Sequence, residues 1–282
     1  MIELQHISFD YDSHREILHD ISLKLGQPNQ NVIGLIGPNG SGKSTLFLNL
    51  VGVLKPTGGK ILVDDQPIRY TKRGLNKLRK KIGIVFQNSD QQIFYSIVKD
   101  DIAFALHNLK LPQDEIDRRV TQVLKELDIE DLRDRPIQYL SGGQKKRVAI
   151  AGILVLHSEW LLLDEPTSGL DPDGRKRMLI LIKKLISRGQ KIILSSHDMD
   201  FMYEIGDYFY LLNNGQIVKE GTKDKVFADE NLLNQSKLEQ PWLVKLHQQL
   251  GLPLYFSPEQ LFEDHRLQVN LHTALTGREM SE

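Results

Sequence analysis

Residues 2–8 and 17–25 alternate apolar and polar positions with the two-residue period of a half-buried strand, and both precede the apolar run Val32-Ile33-Gly34-Leu35-Ile36. Further strands are predicted over Lys60-Ile61-Leu62-Val63-Asp64-Asp65, ending at Pro67, over Ile82-Gly83-Ile84-Val85-Phe86, from Trp160 to Leu163 and from Lys191 to Ser195. The last two lack a polar face. Between the strands the period changes. A polar helix is expected near 71–80, and from 96 to 133 the apolar positions Ile116, Val120, Val123, Leu124 and Leu127 fall at helical spacings of three and four. Pro136 and the turn Ser141-Gly142-Gly143 close that region, and helices are predicted over 144–157 and 174–187. Asn213-Asn214-Gly215 between two apolar runs marks a hairpin. Strands alternating with helices predict an α/β fold, a mainly parallel sheet covered on both faces. From about residue 223 the composition turns polar, with short helices expected from Pro241 to Leu250 and after Ser257. The chain divides accordingly into a domain over 1–222 and an accessory segment over 223–282.

One junction between strand and helix carries chemistry. After Ile36 comes Gly37-Pro38-Asn39-Gly40-Ser41-Gly42-Lys43-Ser44-Thr45, and then the apolar residues to Leu54. Strand, glycine-rich loop and helix, with Lys and Ser at its end, form a phosphate-binding loop. The glycines let successive N–H groups point inward, and the helix that begins near Lys43 aims its positive end at the same place. Polyphosphate is the fitting occupant. Lys43 sets a charge against the outer phosphates, and the Ser44 hydroxyl completes a Mg2+ shell.

Two carboxylates fit that role. Leu163-Asp164-Glu165-Pro166 places Asp164 and Glu165 at the carboxyl end of a buried strand, where open parallel sheets bind their ligands. Asp164 is expected to hold the metal and Glu165 to polarise a water in line with the outer phosphate.

The 282-residue chain is ample for a large core. With 36 basic and 37 acidic residues and a net charge of -1, no global field favours nucleic acid or an anionic membrane. The basic runs Arg79-Lys80-Lys81 and Lys145-Lys146-Arg147 are read as solvated helix faces. There is no cysteine, hence no disulfide scaffold. The residues Met1 to His6 do not resemble a signal peptide, and no apolar run approaches the roughly 18 residues of a membrane span. Any membrane role therefore falls to a partner.

Leu140-Ser141-Gly142-Gly143-Gln144 is the feature that gives the set a family resemblance. Together with the phosphate loop, Gln87 after a strand, Ser168-Gly169-Leu170-Asp171 after the carboxylates, and His197 after the strand at 191–195, it resembles the ATP-binding cassette ATPases over residues 1 to about 222. The resemblance implies a P-loop cassette with an N-terminal antiparallel β subdomain and a helical subdomain at about 88–157. It implies that two cassettes pack head to tail, ATP lying between Lys43 of one and Ser141 and Gly143 of the other. Gln87 would sense Mg2+ and water, His197 would contact the outer phosphate and Asp171 would line the dimer seam. Tyr11 resembles the aromatic on which adenine stacks; a strand-end core tyrosine is the other reading.

Val85-Phe86-Gln87-Asn88-Ser89-Asp90-Gln91-Gln92-Ile93-Phe94 and Asp100-Asp101-Ile102-Ala103-Phe104 resemble, more narrowly, the energy-coupling factor ATPases that drive uptake of vitamins, cobalt and nickel. Ser89, Ile97 and Ala105 depart from that pattern. This resemblance implies a transmembrane coupling protein, a substrate-binding membrane component, a second cassette that is the same chain or a paralogue, and a place on the cytoplasmic face of the membrane. Ile93, Phe94, Tyr95 and Ile97 would then be a docking surface, or else a buried helix. A cassette ATPase acting on nucleic acid, and an ATP-holding module without turnover, are the alternatives. The first lacks a basic face or coiled-coil insertion here, and the second does not call for both Glu165 and His197.

Overall fold

The computed structural model describes residues 1–12 and 16–265; the last part of the expected accessory segment, 266–282, lies outside the described residues. Among the described residues ten strands form two sheets. They are β1 (Ile2–Asp10), β2 (Glu16–Leu25), β3 (Val32–Ile36), β4 (Gly58–Val63), β5 (Gln66–Pro67), β6 (Ile82–Val85), β7 (Trp160–Asp164), β8 (Lys191–Ser195), β9 (Tyr208–Asn213) and β10 (Gln216–Thr222). The first sheet, in the order β2-β1-β4-β5, is antiparallel. The second runs β10-β9-β3-β8-β7-β6, parallel from β9 to β6, with only β10 reversed.

The period-two alternation of the buried strands decides what each face of the parallel sheet packs against. Val32 and Ile36 of β3, Leu161 and Leu163 of β7, Ile192 and Leu194 of β8, and Phe209 and Leu211 of β9 enter one core. Ile33 and Leu35, Trp160 and Leu162, Ile193, and Tyr210 and Leu212 enter the other. The second core is shared with the antiparallel sheet and with α1 (Lys43–Leu50), through Leu46, Phe47 and Leu50. It also takes Leu78 of α2 (Lys72–Lys81).

The first core holds the helical region. The stretch expected to be helical from 96 to 133 is broken into α3 (Val98–Asn108) and α4 (Gln113–Glu126), because Pro112 caps α4 and Lys110 turns in the left-handed region. Next come α5 (Gly142–Leu154), α6 (Pro172–Ser187) and α7 (Met199–Ile205), the last with no sequence expectation behind it. The tail adds α8 (Lys223–Val226), α9 (Glu230–Gln235), α10 (Trp242–Leu250) and α11 (Pro258–Phe262). Its buried residues Val226, Phe227, Leu233, Leu243, Val244 and Tyr255 belong to the same cluster as the sheet and α3–α7. The tail therefore packs as a continuation of that core.

Pro67 does not end the preceding strand as expected. It pairs with Leu62 in the short edge strand β5, where a residue without an N–H is tolerated. Among the described residues no helix is long and apolar enough to cross a membrane.

Candidate nucleotide site

The carboxyl ends of β3, β7 and β8 bring the chemistry together, since these strands are parallel neighbours. β3 delivers Gly37 to Gly42, and α1 starts at Lys43. The loop is wedged against the end of β9: a Cβ on Gly37 would stand 2.1 Å from the carbonyl oxygen of Leu212, so only glycine passes there. Lys43, 7% exposed, curls back and donates to the carbonyls of Gly37 (2.7 Å) and Pro38 (3.0 Å). Burial lowers its pKa, and the charges of Glu165 and Asp164 oppose that shift. The buried Ser41 Oγ has no partner among the described residues. The first amides of α1, like those of any helix, lack an intrahelical acceptor. A buried cation, an orphaned hydroxyl and unspent amides make a cradle for an anion.

Asp164 and Glu165 are both buried. Ser195, at the end of β8 and wholly buried, serves both: its Oγ donates to Asp164 Oδ1 at 2.5 Å and accepts from the Glu165 N–H at 3.2 Å. No sequence expectation covered Ser195. The available signal was a serine closing an apolar strand; that this strand pairs with the one bearing the carboxylates is seen only in the fold. Glu165 itself sits in the left-handed region, φ 49°, which is strained for a non-glycine residue. Its Oε2 accepts from the His197 backbone N–H at 3.3 Å and lies 2.8 Å from His197 Nδ1, while the buried Oε1 has no partner. His197 and Glu165 are thus brought together at the ligand edge of the sheet, a pairing that the sequence reading did not include.

The other predicted residues surround this centre. Tyr11 is 61% exposed, its hydroxyl 3.2 Å from Thr45 Oγ1 and its ring edge-on to Phe9, so it is not a core tyrosine. Gln87 is exposed and donates to Ser168 Oγ at 3.3 Å. Asp171 caps α6 by accepting from the Gly174 N–H at 2.6 Å. Asn39 and Pro38 line a cleft of about 620 Å³ with His197, and the tail residues Lys237 to Gln240 form its other wall.

Leu140 is buried in the core next to α5, and Ser141 caps that helix while remaining exposed. The pair forms a capping box: Ser141 Oγ accepts from the Gln144 N–H (3.3 Å) and Gln144 Oε1 accepts from the Ser141 N–H (2.9 Å). Nothing among the described residues demands glycine after it. A Cβ on Gly142 would meet nothing within 4 Å, and one on Gly143 would make only ordinary contact with Leu170 Cδ2 at 3.6 Å. Two glycines opening a helix are therefore a local cost with no local reason.

One expectation is overturned at this helix. The run Lys145-Lys146-Arg147 is not a solvated face: Lys146 is 6% exposed and donates to the carbonyls of Glu165 (3.2 Å), Pro166 (3.0 Å) and Ser168 (2.7 Å). Three backbone acceptors exposed by the turn after β7 draw the ammonium inward. Lys145 reaches Asp90 at 2.8 Å instead.

Comparison with known proteins agrees with this geometry. The ABC transporter family profile matches residues 18–168, which contain the phosphate loop, Gln87, the signature stretch Leu140-Ser141-Gly142-Gly143-Gln144 and both carboxylates. The cobalt import ATP-binding protein CbiO of Salmonella typhimurium is 52% identical over 237 residues, covering 84% of this chain and 87% of its own. The energy-coupling factor transporter ATP-binding protein EcfA of Methanocaldococcus jannaschii is 43% identical over 246 residues, covering 87% and 88%. Among solved structures, cbiO1 from Clostridium perfringens, part of the ABC transporter complex cbiONQ, superposes with a TM-score of 0.75 at 40% identity, over 88% of this chain and 98% of that one. The dimeric post-hydrolysis state of the ATP-binding cassette MJ0796, bound to ADP and Pi, gives 0.70 at 26% identity, over 79% and 99%. Matched over most of their length by such relatives, the phosphate loop, paired carboxylates and signature helix place the chain in the ABC transporter family of ATP-binding proteins.

Proposed function

We propose that the chain is the ATP-hydrolysing, energy-coupling subunit of a membrane importer, working as a head-to-tail dimer of cassettes at the cytoplasmic face of the membrane. The observation that carries this reading is the convergence of Lys43, Asp164 and Glu165 at one edge of the parallel sheet, with Ser41 Oγ and Glu165 Oε1 buried and unpartnered. Polar atoms in that state are costly unless a ligand completes them.

ATP lies with its phosphates on Gly37 to Thr45 and its adenine against Tyr11. Ser44, Asp164 and Gln87 are hard oxygen donors suited to Mg2+, which when bound supplies charge neutralisation at the outer phosphates. Glu165 takes the proton of the attacking water, and His197 orients the carboxylate and reaches the outer phosphate. Ser141 and Gly143 offer a second anion-binding surface at the start of α5, lining a cleft apart from the one that Pro38 and Asn39 line and open to the nucleotide of a neighbour.

Relatives named cobalt import and energy-coupling factor proteins support the partners that the family resemblance implies. They are a second cassette, identical or paralogous, a transmembrane coupling protein and a substrate-binding membrane component, with a metal ion or vitamin as cargo. Phe94 (71% exposed) and Tyr95 (46%), packed on Phe104, offer aromatic surface for the coupling protein, whereas Ile93 packs against the core. Mg2+-dependent ATP turnover of the parent protein, compared with Glu165→Gln, tests the reading. A loss of about 100-fold or more with nucleotide still bound is expected, and equal rates would remove the general base.

A further inference from the structure

Lys146 has no place in the site as described so far, yet its burial is costly. Burial pushes its pKa down to about 8, only partly offset by the Glu165 charge. What it obtains in return is three carbonyls, those of Glu165, Pro166 and Ser168. Glu165 holds its left-handed backbone with its N–H on the carbonyl and hydroxyl of Ser195, and with its C=O shared between Lys146 and the Ser168 N–H.

We propose that Lys146 is a positioning residue for ATP hydrolysis, fixing the backbone of Glu165 to the helix that carries Ser141 and Gly143. The inference rests on the reading of Glu165 as general base. Through Lys146 the carboxylate and the start of α5 move as one body. Lys145, the preceding residue, fastens the same helix to Asp90 in the segment after Gln87, and Gln87 reaches across to Ser168. A phosphate that seats on Ser141 from a neighbouring cassette thus acts, through α5, on the Glu165 that serves this chain's own nucleotide.

The test compares kcat and KM for Mg2+-ATP, and the Kd of trinitrophenyl-ATP, in the parent, Lys146→Met, Lys146→Gln and Glu165→Gln. Lys146→Met keeps the aliphatic stem, one atom short of the ammonium, and removes its donors; kcat is expected to fall about tenfold or more, with KM and Kd within about twofold of the parent. Lys146→Gln, which keeps N–H donors without charge, is expected to recover part of kcat, and it carries the comparison alone if Lys146→Met does not fold. Parental kcat in Lys146→Met would overturn the proposal. So would a loss of kcat matched by an equal loss of nucleotide affinity, since that marks a structural defect. If Glu165→Gln abolishes turnover while both Lys146 variants keep it, this inference alone fails; if Glu165→Gln turns over as fast as the parent, the general-base reading fails and takes this inference with it.

Discussion

Glu165 and His197 are joined by two contacts at one oxygen: Glu165 Oε2 lies 2.8 Å from His197 Nδ1 and 3.3 Å from the His197 backbone N–H. The second carboxylate oxygen, Oε1, is buried and unpartnered. The histidine therefore sets which oxygen is left for water. In His197→Ala the backbone N–H remains but the ring contact is lost. ATP turnover is expected to fall at least about tenfold, with trinitrophenyl-ATP affinity nearly unchanged. Turnover equal to the parent would show that the contact does not orient the base.

The exposed ring of Tyr11 tests where the base of the nucleotide sits. Stacking of an aromatic on a nucleobase is worth about 1–3 kcal/mol by alanine substitution, so Tyr11→Ala is expected to raise KM for ATP about fivefold or more at little cost in kcat. Tyr11→Phe, which loses only the contact to Thr45, should behave as the parent. Steady-state kinetics of the two variants decide it.

At Gly142, stability and activity are expected to part. A Cβ there meets nothing in its own chain, and alanine is the better helix former by up to about 1 kcal/mol. Thermal unfolding of Gly142→Ala should occur at or above the parent temperature, while ATP turnover falls several-fold because the added methyl stands where a neighbour's phosphates approach. Unchanged turnover would mean that the surface stays empty.

Lys146 gives a pH signature separate from its kinetic one. Its folded-state pKa is about 8, against 10.5 in the unfolded chain. Between those values the unfolded chain binds more protons, so this group adds stability as pH rises and its full penalty is present below the folded pKa. The unfolding free energy of the parent minus that of Lys146→Met should therefore climb between about pH 8 and 10.5. A flat or falling difference, measured by denaturant titration, would show that the lysine stays charged at no cost.

The sequence was most legible where local pattern and chemistry coincide. The run Val32 to Ile36, the glycines and Lys43 each report the same strand–loop–helix unit, and the two-sided apolar strands at 160–163 and 191–195 place Asp164 and Glu165 at the ligand edge. Interactions between distant segments were less visible. Ser195 organises both carboxylates only because β7 and β8 are neighbours, an adjacency absent from the linear pattern. Lys146 is a surface residue by composition and a buried one by the carbonyls it meets. Helix α7 is seven residues long, too short for its periodicity to be told from a turn. The tail, expected to be a polar accessory segment, is about as rich in apolar residues as the rest of the chain, and Val226, Phe227, Leu233, Leu243, Val244 and Tyr255 enter the main core.

The sharing of one nucleotide between two copies is tested most directly by mixing two disabled variants. Lys43→Ala and Ser141→Arg should each be inactive alone. In a head-to-tail dimer of one with the other, one site carries both lesions and the other carries neither. A one-to-one mixture should recover about a quarter of parental ATP turnover, from random pairing and one intact site per mixed dimer. A mixture no more active than its separate components would contradict a nucleotide site shared between two copies of this chain.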